Sequence, residues 1–204
     1  MKNYSLKTFG TSALIRGLLL LAFVLTSLAT TSGVSIAAAK AYDGSFELRE
    51  ELKNHLHTLD ALVTQDDITN GGTNIPLDDR VVVVTFFASW CPPCLKEFAA
   101  LNAIQNKLGE DKLTIVAVNV FEEFDNNDEA RMANFLQTTQ PEFLVLEGTD
   151  LSRELFGNIR RIPTLLVFDQ SGDLAFDFIH AQGASAEEQT VDDEELLNVI
   201  QPLI

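Results

Sequence analysis

Residues Phe86 to Cys94, "FFASWCPPC", contain the only two cysteines of the 204-residue chain. They overlap an almost unbroken apolar run, Val81 to Ala88, "VVVVTFFA", which is typical of a strand buried on both faces. From Pro92 the apolar spacing becomes helical, and Gly109 is a stop signal. The helical stripe consists of Leu95, Phe98, Leu101, Ile104 and Leu108. The sequence therefore predicts a strand followed by a helix, with both cysteines at the junction.

This position favours the thiolate form of Cys91. Just before the first helical turn, its sulfur lies near unpaired backbone N–H groups and the positive end of the helix dipole. Pro92 suits the first helical position, because a backbone N–H at that position would have no hydrogen-bond partner within the helix. Cys94, one turn further along, can swing back to Cys91. The arrangement lowers the pKa of the first thiol and makes it the attacker, while the second thiol resolves the mixed disulfide.

Two other interpretations of the cysteine pair are weaker. As a structural staple, a disulfide across only four residues stabilises by roughly 2 kcal/mol, the low end of the usual range. As a metal site, two thiolates supply half of a closed zinc site, and the remaining candidate ligands are His55, His57 and His180. His55 and His57 are two positions apart on a predicted helix and do not face the same way. Redox chemistry is therefore the favoured interpretation, and no metal is expected.

The rest of the chain alternates between strand and helix patterns. Helical spacing covers Phe46 to Val63, and Gln65 to Asn74 has a loop composition. The predicted strands are Leu113–Val120, Phe143–Leu146, Thr164–Asp169 and Leu174–Ile179, and the predicted helices are Asp128–Thr138, Asp150–Phe156 and a last one starting at Thr190. This order predicts an α/β fold, with helices on a mixed central sheet.

The first 41 residues have the layout of an export signal. Lys2, Lys7 and Arg16 precede a charge-free apolar run, and small residues around Ala39 offer a cleavage site. Residues 17–39 are also long enough to serve as a membrane anchor, so a cleaved signal and a retained tether both stay open. We predict a signal or anchor at 1–41, a helical extension and loop at 42–74, and the main domain at 75–204.

The charge balance excludes a nucleic-acid partner. With residues 1–39 set aside, 11 basic residues face 30 acidic ones. Such a chain has little with which to replace the counterions of a phosphate backbone. The acidity is instead typical of a soluble exported domain.

The segment Phe156 to Phe168, "FGNIRRIPTLLVF", completes a resemblance. Together with "FFASWCPPCLKEF" it resembles the thioredoxin superfamily, whose active site combines a strand, a Cys-x-x-Cys turn, a helix and a cis-proline. The closer resemblance is to the TlpA/ResA-like exported thiol-disulfide reductases. It implies a thioredoxin-like fold with a helix and strand inserted between Cys94 and Pro163, and it leaves the Phe46 to Val63 helix as an extra element.

The resemblance implies a role for each matching residue. Cys91 corresponds to the nucleophile and Cys94 to the resolving cysteine, the two forming a redox-active disulfide. Trp90 corresponds to the aromatic residue that shields the disulfide and contributes to the contact surface. Pro163 corresponds to the cis-proline, and Ile162 to the residue whose backbone pairs with an extended substrate segment, as in strand addition.

Glu97 is the expected proton carrier. Thioredoxins have a buried aspartate six positions before the first cysteine, where this chain has Thr85, which does not exchange protons near neutral pH. Glu97 lies three residues after Cys94, so the two side chains share a helix face. It also matches an active-site glutamate of ResA-like proteins. We expect it to be partly buried, with a raised pKa, and to exchange the proton of Cys94; the alternative is a solvated helix glutamate.

The expected function is reduction of protein disulfides in the periplasm or on the outer face of the cytoplasmic membrane. The resemblance implies substrates such as apocytochrome c or copper-insertion proteins, a membrane thiol carrier as electron donor, and no cofactor. Pro92 and Pro93 offer the thiolate no side-chain donor, which mildly favours a reductant. The alternatives are a copper chaperone that uses His180 and a periplasmic disulfide oxidase or isomerase.

Overall fold

The computed structural model describes residues 46–63, 75–125, 129–185 and 188–204. The predicted signal or anchor at 1–41, with its possible tether at 17–39, lies outside the described residues, and so does the predicted loop from Gln65 to Asn74. Within the described ranges, no helix is both long enough and apolar enough to cross a membrane.

Helices and strands alternate along the described chain, as predicted. The helices are α1 (Glu50–Thr58), α2 (Pro92–Leu108), α3 (Glu129–Thr139), α4 (Asp150–Leu155) and α5 (Asp193–Ile200). The strands are β1 (Ala61–Val63), β2 (Val81–Phe87), β3 (Leu113–Asn119), β4 (Leu144–Glu147), β5 (Thr164–Phe168) and β6 (Leu174–Ile179). Short 3₁₀ turns cover Glu122–Asp125 and Gln201–Leu203.

The strands form one mixed sheet in the order β1-β4-β3-β2-β5-β6. β2 lies at its centre, parallel to β3 and antiparallel to β5. All seven residues of β2 are buried, which confirms the prediction of a strand covered on both faces. The chain between Cys94 and Pro163 contains the predicted inserted helix and strand, α3 and β4, and β4 lies parallel to β3.

Two apolar cores cover the two faces of the sheet. Because side chains alternate along a strand, Val81 and Val83 of β2 point into one core, and Val82 and Val84 point into the other. The first core contains residues of α2, α3 and α5, and the second contains residues of α1 and the end of α4. Thr85 follows the first pattern and therefore faces α2.

The N-terminal segment differs from its prediction as one helix over Phe46 to Val63. α1 ends at Thr58, because Leu59 already has an extended backbone. Ala61 then pairs with Leu146 at the open edge of β4, and the Glu147 N–H donates to the Asp60 carbonyl at 2.8 Å. The leucine spacing continues past Thr58, but hydrogen bonds to an unpaired strand edge outweigh that local pattern.

The start of the last helix is also corrected. The sequence predicted Thr190 as the first residue, whereas Asp192 caps α5 by accepting a hydrogen bond from the Glu195 N–H at 2.8 Å. Aspartate caps a helix at least as well as threonine does, so the helix starts two residues later than predicted.

Candidate active site

The turn after β2 places Cys91 at the start of α2. β2 ends at Phe87, and the Cys91 N–H donates to the Ala88 carbonyl at 3.1 Å. Cys91 is the N-cap residue, with Pro92 in the first helical turn, and the Cys94 N–H donates to the Cys91 carbonyl at 3.1 Å. The sulfur of Cys91 therefore lies at the helix end where backbone N–H groups and the helix dipole favour a negative charge.

Cys91 and Cys94 form a disulfide, with their Cα atoms 5.4 Å apart. Cys94 is fully buried, whereas Cys91 keeps 3% of its surface exposed. The bond joins two residues of one helix start that are three positions apart, and it leaves the rest of the chain unconstrained. An incoming sulfur can therefore reach Cys91 more readily than Cys94.

Trp90 is fixed beside this disulfide. Its indole N–H donates to the Phe121 carbonyl at 2.9 Å, and its ring packs against both apolar cores. Ile162 packs against the same two cores. The half-buried Trp90 ring thus lies in a fixed orientation next to Cys91, where the resemblance places a cover.

Glu122 anchors the turn that carries Trp90 and Cys91, and sequence reasoning missed it. Its Oε1 accepts from the Ser89 N–H at 2.6 Å and from Asn119 Nδ2 at 2.7 Å, and its Oε2 accepts from Ser89 Oγ at 2.8 Å. Asn119 ends β3, the parallel neighbour of β2. Polar residues that follow a parallel strand lie at the same sheet edge as the active-site turn, which is the signal that points to Glu122.

The peptide bond between Ile162 and Pro163 is cis. Thr164 pairs with Phe86, so the buried Pro163 lies beside the end of β2, where the cysteine turn begins. Thr164 Oγ1 also donates to the Arg161 carbonyl at 2.8 Å. The fold therefore brings Pro163 and the cysteines to one edge of the sheet, although 69 positions separate Cys94 from Pro163 in the sequence.

The histidine rings face polar neighbours. His180 Nε2 lies 3.2 Å from the Ile162 carbonyl oxygen, and its Nδ1 lies 3.1 Å from the Ala181 carbonyl oxygen. His55 Nε2 lies 2.8 Å from Ser152 Oγ, and burial lowers the pKa of His55. In the described part of the chain, no three or more His, Cys, Asp or Glu side chains are grouped as metal ligands.

Glu97 is fully buried on the face of α2 that also carries Cys94. Its Oε2 accepts a hydrogen bond from Thr85 Oγ1 at 2.9 Å, and its Oε1 has no hydrogen-bond partner among the described residues. Burial raises the pKa of Glu97 to about 8, although the Thr85 hydrogen bond lowers it. The alternative of a solvated helix glutamate is therefore wrong. A carboxyl group with this pKa can give or take a proton near neutral pH.

Comparison with known proteins gives consistent matches. The Redoxin family model matches residues 57–194. The thioredoxin-like protein YneN of Bacillus subtilis (strain 168) is 29% identical over 94 residues, which are 46% of this chain and 52% of YneN. The thiol-disulfide oxidoreductase ResA of Halalkalibacterium halodurans is 25% identical over 126 residues, which are 62% of this chain and 65% of ResA. This chain thus spans between about half and two thirds of the length of these two relatives.

A solved structure has the same fold. The crystal structure of a thiol:disulfide interchange protein of the thioredoxin family from Chlorobium tepidum is similar to this chain, with a TM-score of 0.51 and 23% identity. The similarity covers 62% of this chain and 81% of that protein. The predicted thioredoxin-like architecture is therefore confirmed.

Proposed function

This chain belongs to the Redoxin family and is a TlpA/ResA-like member of the thioredoxin superfamily; from that premise we propose that it is a thiol-disulfide oxidoreductase that reduces disulfide bonds in proteins. The observation that carries the proposal is a disulfide at a helix start with a buried carboxyl group one turn further along. A stabilising staple needs no such proton carrier.

The chemistry begins from the reduced pair. The Cys91 thiolate attacks one sulfur of a substrate disulfide, a new S–S bond joins Cys91 to the substrate, and the other substrate sulfur leaves as a thiolate. Ionised Glu97 then takes the proton of the Cys94 thiol, and the Cys94 thiolate attacks Cys91 Sγ. The Cys91–Cys94 disulfide forms and the second substrate sulfur leaves. Two electrons have passed from the protein to the substrate, and both substrate sulfurs are reduced.

The substrate segment is proposed to lie across Trp90, Ile162 and Pro163. The backbone of an extended segment can pair with Ile162 in the manner of an added strand. Trp90 and Ile162 are each partly buried against the same two cores, which supports a shared contact surface near Cys91.

We further propose that the protein works as a reductant outside the cytoplasm. The prolines at positions 92 and 93 have no side-chain donor for the thiolate, which supports a reducing pair. The pattern of residues 1–41 supports export, either with cleavage or with a tether at 17–39. In this proposal a membrane thiol carrier supplies the electrons, and the substrates are proteins of cytochrome c maturation or copper-site assembly.

Reduction of insulin tests the proposed activity. With dithiothreitol as the electron source, the protein is expected to accelerate cleavage of the interchain disulfides, because Cys91 cycles between thiolate and disulfide. The rate of B-chain precipitation measures this reaction. The double variant Cys91→Ser/Cys94→Ser serves as the control and should show only the dithiothreitol background. Equal rates for wild type and this control would refute the proposal.

A further inference from the structure

Thr85 is the one polar residue of β2, "VVVVTFF", and it is fully buried. Its hydroxyl oxygen lies 2.9 Å from Glu97 Oε2 and 3.3 Å from the Thr164 carbonyl oxygen. Burial of a hydroxyl group is costly unless it is hydrogen-bonded. Thr85 has two acceptors within reach, and what decides between them needs a physical explanation. Thr164 directly follows Pro163, so one side chain touches both Glu97 and the segment that contains the cis peptide bond.

The hydroxyl group has a single hydrogen and donates to one acceptor at a time. When Glu97 is ionised, its carboxylate is the stronger acceptor and takes the hydrogen of Thr85. When Glu97 is neutral and carries its proton on Oε2, that proton can be donated to Thr85 Oγ1. The hydrogen of Thr85 is then free to bond the Thr164 carbonyl oxygen.

We propose that Thr85 is a positioning residue that holds the Glu97 carboxyl group and couples its protonation to the backbone at Thr164. The proposal deepens the proposed function, on which it rests, because it links the proton carrier to the segment where substrate is proposed to dock. It also explains the polar residue in an otherwise apolar strand.

The surroundings leave this coupling undisturbed by other charges. Three elements that pack against α2, namely α3, α5 and β3, contribute apolar core residues: Phe135, Leu196, Ile200 and Ala117. β2 and β5 contribute Thr85 and the Thr164 backbone, and α2 itself contributes the Cys94 sulfur, which does not titrate in the disulfide. Besides burial, the hydrogen bond from Thr85 is the interaction that shifts the pKa of Glu97.

Two pairs of proteins test the proposal, and the two members of each pair differ by one hydroxyl group at position 85. Wild type and Thr85→Val have nearly the same side-chain shape at position 85, and Thr85→Ser and Thr85→Ala form a smaller pair. In the oxidised protein, the carboxyl carbon of Glu97 and the carbonyl carbon of Thr164 are followed by ¹³C NMR as the pH is raised. Both measurements are made without substrate, so their outcome does not depend on whether insulin is reduced.

Loss of the hydroxyl group is expected to raise the Glu97 titration midpoint by about one pH unit, because the ionised form loses its hydrogen bond. The Thr85→Ser variant should keep a midpoint close to that of wild type. The Thr164 carbonyl shift should change with the same midpoint in wild type and Thr85→Ser, and should be flat in Thr85→Val and Thr85→Ala.

The proposal fails if the Glu97 midpoint is the same with and without the hydroxyl group, which would make Thr85 a space-filling residue. It also fails if the Thr164 carbonyl shift of wild type does not follow Glu97. If Thr85→Val does not fold, the serine and alanine pair decides the question. If the Thr164 carbonyl shift follows Glu97 but the protein does not reduce insulin, the proposed function is refuted and the role of Thr85 is kept.

Discussion

Replacement of Cys94 by alanine is expected to convert turnover into a stoichiometric trap, in which substrate stays attached to Cys91. With no second sulfur to attack it, the mixed disulfide on Cys91 has no internal route to release. Mass spectrometry of the reduced variant after mixing with insulin should show a covalent adduct of one insulin molecule. Catalysed insulin reduction should fall to the background rate.

The matched variant Cys91→Ala tests whether the two cysteines differ in reactivity because of where each lies in the helix. It keeps one sulfur of the pair, but Cys94 is fully buried and lies inside the helix rather than at its start. The helix start favours the reactive thiolate at Cys91, whereas burial disfavours it at Cys94, so Cys91 should form adducts at least about tenfold faster than Cys94. Equal trapping by the two variants would contradict the assignment of Cys91 as the nucleophile.

Glu97→Gln is expected to change how stability depends on pH. The pKa of Glu97 is about 8 in the folded protein, against about 4.3 in an unfolded chain. Below the unfolded value both states are protonated, and the contribution of Glu97 to stability is fully present. As the pH rises, the unfolded state ionises first, so the free energy of unfolding falls by about 1.4 kcal/mol per pH unit until the folded pKa is passed.

The glutamine variant cannot ionise at this position and should lack this slope. Urea unfolding of the oxidised proteins at a series of pH values between 5 and 7.5 measures the difference, which should grow to about 3 kcal/mol in favour of the variant over that range. The control variant Glu123→Gln removes the charge of an exposed carboxylate, whose side chain is 54% exposed, and it should keep the wild-type slope. Parallel curves for wild type and Glu97→Gln would show that Glu97 titrates normally.

Glu97→Gln should also slow the step in which Cys94 attacks the mixed disulfide and releases the substrate. Without a carboxylate to take the Cys94 proton, release of substrate from the mixed disulfide is expected to slow by about 100-fold near neutral pH, the lower range for general acid-base catalysis. The pH profile of insulin reduction should also lose the inflection that Glu97 provides. An unchanged rate and profile would remove Glu97 from the mechanism.

The centre of the site was predictable from the sequence because its signals are local. The change from the apolar run of β2 to the helical stripe of α2 fixes the junction at Cys91, and a spacing of three residues puts Glu97 on the face of Cys94. The sequence predicted only partial burial of Glu97, whereas the structure buries it fully; Leu95 of the predicted stripe is instead exposed.

The remaining elements depend on contacts between distant positions. Ala61–Val63 becomes a strand only because β4 leaves an open edge, which no pattern in residues 46–63 reveals. Glu122 and Ser89 are 33 positions apart, and their contact depends on the parallel pairing of β2 and β3. The threonine within β2 was visible as an exception in an apolar run, but its two acceptors became evident only from the fold.

The reduction potential of the Cys91–Cys94 couple tests the proposed direction of electron flow most directly. Equilibration with defined ratios of reduced and oxidised dithiothreitol or glutathione gives the potential from the fraction of disulfide. We predict a value near that of thioredoxin, about −270 mV, as a reductant requires. A value near about −120 mV, that of the oxidant DsbA, would contradict the proposal that this protein reduces the disulfides of its partners.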